Sequence, residues 1–72
     1  MNLDNKQVTI QSMSVQTYPP VTTVKVAVTE ETLPDVFKVI ANFDIRFEQI
    51  FTVIDDANLL ALINEKLRLI PD

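Results

Sequence analysis

A chain of 72 residues without one glycine has few ways to turn sharply. Tight two-residue hairpins draw on positive φ, which glycine adopts without steric cost. The turns of this chain must therefore fall on Asn, Asp or Pro. Tyr18-Pro19-Pro20, Asn42 and Asp55-Asp56-Ala57-Asn58 are the stretches with that chemistry. The same absence excludes the glycine-rich loops that cradle phosphates or dinucleotides.

The length fits one domain, residues 1–72, with a polar and flexible start over 1–5. A chain this short buries only about 60% of its unfolded surface. It holds neither Cys nor His, so no disulfide or zinc site reinforces it. Self-association is the remaining reinforcement, because it buries apolar surface that a monomer leaves wet.

The net charge of −4 and six scattered basic residues build no phosphate-neutralising stripe, which argues against direct nucleic-acid binding. No run approaches the ~18 apolar residues of a membrane span, and no basic start leads into an apolar signal core. The chain reads as soluble and cytoplasmic.

Phe43 to Ile54 is the richest apolar run and carries three of the four phenylalanines. With period two, Phe43, Ile45, Phe47, Phe51 and Val53 share one face, and Asp44, Arg46, Glu48, Ile50, Thr52 and Ile54 the other. Phe43, Phe47, Ile50 and Ile54 are also spaced 4, 3, 4, and with Leu33, Val36 and Ile40 they sketch a helical stripe. Asn42 as a helix stop and the β-branched residues after it favour the strand.

Upstream, Gln7 to Thr17 alternates but changes phase: Val8 and Ile10 lie on one face, Met13 and Val15 on the other. A bulge near Gln11-Ser12 reconciles them and suits an edge strand. Val21 to Thr29 is a strand with Val24, Val26 and Val28 inward, opposite Thr23, Lys25 and Ala27. Thr32 then reads as a helix cap, with Pro34 in the first turn and Asp35 completing an acidic capping box. Leu33, Val36, Phe37 and Ile40 follow as its buried stripe.

The expected fold is α+β. It has an edge strand at 7–17, a strand at 21–29, a helix at 32–42 and a central strand at 44–54, so that one small sheet contains a right-handed βαβ unit. Residues 57–70 are either a return strand or a helix capped by Asp55 or Asp56 with Leu60, Ile63, Leu67 and Ile70 as its stripe.

No nucleophile stands beside a general base, since Cys and His are missing and Ser12 and Ser14 sit in a strand. Glu30-Glu31 and Asp55-Asp56 fall where a helix or turn begins, which capping explains. Asp55, Asp56 and Asn58 lack the central Gly and distal Glu of a calcium loop. The chain is expected to be no enzyme and to hold no cofactor or metal. Arg46, Glu48, Ile50, Thr52 and Ile54 form the candidate interface, graded from charged to apolar, on which a two-fold homodimer would pair.

Leu33, Val36, Ile40, Ala41, Ile45 and Phe47, with Gln49-Ile50 and the IFTVID run behind them, resemble the pattern of an ACT domain, a small regulatory module of ferredoxin-like fold. The resemblance covers roughly residues 24–64, with VTTVKVAV as first strand and LLALIN as third. It implies a β-β-α-β core and amino-acid sensing, with Thr29, Glu31, Thr32 and Asp44 nearest the expected ligand site. ACT sensors carry a Gly before the first helix, where this chain has Glu31 or Thr32. Three functions follow: a regulatory domain that self-associates and binds a protein partner, an ACT-like small-molecule sensor, or an acidic inhibitor of a nucleic-acid-binding protein.

Overall fold

The computed structural model describes residues 1–71. Strands β1 (Lys6–Thr17), β2 (Pro20–Leu33) and β3 (Val36–Phe47) precede a single helix, α1 (Ala57–Arg68). Both strand pairs are antiparallel, the order is β1-β2-β3, and β2 is therefore central. The class is α+β, but the expected βαβ unit is absent: the chain is β-β-β-α and not a β-β-α-β ferredoxin-like unit.

The hairpin of β1 and β2 follows the sequence closely. The pairing slips between Ile10 and Ser12, so Gln11 is the extra residue that moves Met13 onto the face of Val8 and Ile10. These three lie level with Val24, Val28 and Val26 in the register. Tyr18-Pro19-Pro20 turns the chain through a cis Tyr18–Pro19 peptide.

The expected helix at 32–42 is a strand hairpin instead. Pro34 and Asp35 are its two turn residues, and Asp35 takes φ 63°, the positive value that the second central residue of a type II turn requires. The Glu31 carboxylate accepts from the Asp35 amide at 3.1 Å, and the Thr32 hydroxyl donates to the Val36 carbonyl at 3.5 Å. Asn42, expected to stop a helix, pairs with Ala27 inside β3. The proposed buried stripe is exposed: Leu33 64%, Val36 48%, Phe37 44% and Ile40 42%.

The strand expected at 44–54 begins earlier and ends at Phe47, and it is an edge rather than the centre. Phe43, Ile45 and Phe47 do face the helix side, as the alternation indicates, paired with Val26, Val24 and Thr22. Beyond Phe47 the chain leaves the sheet because buried Thr22 captures it. Its hydroxyl donates to the Gln49 carbonyl and accepts from the Phe51 amide. That turn sets Phe51 edge-on to Phe47, centroids 5.7 Å apart at 79°, an arrangement aromatic quadrupoles favour.

Residues 57–68 take the helical alternative. Asp56 is the N-cap and accepts from the amides of Asn58 and Leu59 at 2.8 and 3.1 Å, which satisfies two of the donors a helix start leaves open. Leu59, Ile63 and Leu67 are fully buried, and the spacing of four keeps them on one face. They close the core over Val24, Val26, Val28, Ile45, Phe47 and Phe51. Met1 and Leu3 pack against the same cluster. The Met1 ammonium donates to the carbonyls of Arg68 and Ile70, at the negative end of the helix dipole.

Candidate interaction site

The sheet is longer than its cover. The molecule measures 44 Å along its main axis, whereas 12 helical residues reach about 18 Å. The third strand runs out as well: β1 pairs no further along β2 than Lys6 opposite Glu30. Past that point only two strands continue, with Glu31 opposite Phe37 and Leu33 opposite Val36. This projecting arm carries Leu33, Val36 and Phe37, with Val39 and Ile40 at its base on β3, all five between 42% and 64% exposed.

A slip in the pairing between Val28 and Thr29 makes Ile40 an extra residue in β3. The slip reverses which side each side chain takes. Val39 and Phe37 stand level with Thr29 and Glu31, on the face away from the helix. Lys38 and Val36 point to the helix side, where Lys38 lies level with Glu30. Both faces of the arm are thus apolar, although water reaches both. An isolated two-stranded ribbon has little stability of its own in water, and scattered single apolar residues would not form such a contiguous surface.

The four residues placed near an ACT-like ligand site are not brought together. Thr29, Glu31 and Thr32 lie at the arm's base, and Glu31 and Thr32 are occupied in closing the turn. The Thr29 hydroxyl donates to the Gln7 carbonyl at 3.5 Å. Asp44 is level with Lys25, six residues from Glu31 along β2 and so about 20 Å away. A shallow hollow of about 260 Å³ is lined by Asn5, Glu31, Thr32, Leu33 and Pro34, without Asp44.

Of the residues read as an interface, Arg46 alone lies in a strand, level with Thr23 on the face away from the helix. Glu48, Ile50, Thr52 and Ile54 belong to the connector between β3 and α1, so strand alternation no longer unites them with Arg46. Ile50 and Ile54 are 43% and 45% exposed.

A second hollow, about 380 Å³, opens at the β3 edge beside the end of α1 and is lined by Phe43, Asp44, Ile45, Arg46, Lys66, Leu69 and Ile70. The Lys66 ammonium sits 5.5 Å from the Phe47 ring centre, within cation–π range.

The arm was hidden in the sequence by its own periodicity, because Leu33, Val36, Phe37 and Ile40 fit a helix. The β-branched and aromatic density of Val36 to Phe43 was the available signal for a strand. Among the described residues no three acidic side chains gather as a metal site, and no helix is long and apolar enough to cross a membrane. No family model, curated protein or solved structure matches the chain.

Proposed function

We propose that this chain is a small, non-enzymatic interaction domain that self-associates and binds protein, and that the β2–β3 arm is its docking surface. The observation that carries this reading is the pair of bare apolar faces on an arm that neither β1 nor α1 covers. A catalytic role has less behind it: Ser12 and Ser14 lie on an exposed strand, with no Cys or His anywhere in the chain. Protein surfaces fit the arm better than small ligands, since its hollow is shallow while its apolar residues stand proud.

A photo-crosslinking amino acid at position 37, with position 9 as control, tests the reading in cell extract. The expected result is adducts from position 37 that excess wild-type chain competes away and a Val36→Asp/Val39→Asp variant does not. Adduct yields at position 37 no higher than at position 9 would overturn it.

A further inference from the structure

We infer that the hollow between the free edge of β3 and the end of α1 binds an extended peptide, which joins the sheet as a fourth strand antiparallel to β3. The peptide carries two acidic residues next to a large apolar one. This goes beyond the docking arm and does not rest on it, since the hollow's lining shares no residue with Leu33, Val36 or Phe37.

Four consecutive residues of β3, Phe43 to Arg46, line the hollow. Successive side chains of a strand take opposite faces. Phe43 and Ile45 lie on the helix side, level with Val26 and Val24, while Asp44 and Arg46 lie on the other, level with Lys25 and Thr23. A hollow that touches all four opens on the rim of the strand, where β3 has no neighbour. There the outward N–H and C=O groups are unpaired, and an extended peptide is the occupant that satisfies them. Antiparallel addition continues the pattern of the sheet and gives the slightly stronger ladder. The β1 rim is less open to this. Its hollow is smaller, about 230 Å³, with Leu3 of the N-terminal segment in its lining, and its cation, Lys6, is held 3.7 Å from Glu30.

The side chains around the hollow define what the peptide carries. Phe43, Ile45, Leu69 and Ile70 are its apolar walls, and Leu69 is 77% exposed. A peptide residue level with Ile45 points into this recess, and a large aliphatic side chain fills it.

Charge fixes the neighbours. The chain has ten acidic and six basic residues, yet the hollow is lined by two cations, Arg46 and Lys66, against one acid, Asp44. Both cations are exposed, and among the described residues neither makes an ion pair. A peptide residue level with Arg46 shares its face. The next one, level with Phe47, lies on the helix side within reach of Lys66, whose ammonium is 5.5 Å from the Phe47 ring centre. Acidic residues at these two places each meet an unpaired cation. The residue level with Asp44 is uncharged or basic, because like charges oppose each other across strands. From its N-terminus the peptide therefore reads acid, acid, large aliphatic, non-acidic.

Fluorescence anisotropy with the full chain and the labelled peptide STEDLTVS tests this, its Glu, Asp and Leu taking those three places. Saturable binding is expected below about 1 mM, and it should weaken in high salt. Lysines in place of the peptide's two acids should weaken it at least about tenfold. Lys66→Glu should weaken it too and should reverse the preference, binding STKDLTVS better than STEDLTVS. Leu69→Asp should lose binding and Thr9→Asp, on β1, should keep it, with circular dichroism showing that each variant is folded. Amide hydrogen exchange gives the readout particular to an added strand: the outward amides of residues 43–47 should gain protection with peptide, and those of β1 should not. Decanoate, an apolar anion without amides, should protect neither edge. No saturable binding, binding indifferent to both charge exchanges, or binding without protection along β3 overturns the inference. So does decanoate binding more tightly than the peptide, which would make the hollow a site for small apolar anions. Crosslinks from position 37 report on the arm alone, so either reading can fail while the other stands.

Discussion

The Phe51 amide donates to the Thr22 hydroxyl at 3.0 Å, and that hydroxyl passes its own proton to the Gln49 carbonyl at 2.8 Å. Thr22 is fully buried. One side chain on the central strand therefore ends β3 and turns the connector towards α1. It also fixes Phe51 against Phe47, so this polar pair directs the packing of two aromatic rings.

Thr22→Val keeps the shape of the side chain and removes both hydrogen bonds. It leaves a buried N–H and a carbonyl without a partner, and such orphaned groups cost about 1–3 kcal/mol each. The expected loss of stability lies in that range, read from the urea midpoint. Thr22→Ser, which keeps the hydroxyl, should lose clearly less. Equal losses for the two variants would mean that the methyl group and not the hydrogen bonds holds this corner.

Helix α1 depends on its cap. Asp56 satisfies the amides of Asn58 and Leu59, and its removal exposes both at the start of a 12-residue helix that is marginal on its own. Asp56→Ala should destabilise by about 1 kcal/mol, whereas Asp56→Asn should be close to neutral. Chemical denaturation of the two variants side by side measures the difference.

The core is more demanding. Ile63 has no exposed surface and sits mid-helix between Leu59 and Leu67, over the valines of β2. Truncation to alanine in such a site costs about 2–5 kcal/mol. The whole stability of 72 residues is roughly 4–11 kcal/mol at typical values per residue. Ile63→Ala should thus lose a large share of that stability and melt well below the wild type, while Leu60→Ala, at a 37% exposed position, should fold with a much smaller loss. Comparable melting temperatures for the two would contradict this placement of the helix.

These elements also show what could be read in the sequence. The strands around Val8 and Val24 were legible because side-chain alternation is a local property, and the phase change at Gln11 marked the bulge directly. The last segment left strand and helix open, and Asp56 with Leu59, Ile63 and Leu67 resolves it as helix. The arm was misread because two physical situations share one pattern. A strand that is apolar on both faces, with an extra residue at Ile40, reproduces the three- and four-residue spacings of a helix stripe. Pro34 and Asp35 suit a helix start as well as a hairpin turn, and no glycine was present to decide between them. The end of β3 depended on Thr22, 25 residues before Phe47 in the sequence, and no local pattern announces such a partner.

The turn between β2 and β3 yields the last prediction. Asp35 holds φ 63°, where a side chain crowds its own backbone and Gly or Asn is the usual occupant. Its amide is held by the Glu31 carboxylate at 3.1 Å, a bond that any residue with a backbone N–H retains. Asp35→Gly keeps that bond and relieves the crowding, against some added freedom of the unfolded chain. A net gain of about 0.5–1 kcal/mol is expected, as for other residues matched to a positive φ. Asp35→Val should lose about 1–2 kcal/mol, because β-branched residues tolerate that region least. Thermal melts of both variants measure the effect in the Val36→Asp/Val39→Asp background, which removes any contribution from self-association. Should Gly and Val leave the melting temperature equally unchanged, the hairpin end would not be formed with Asp35 in its second central position.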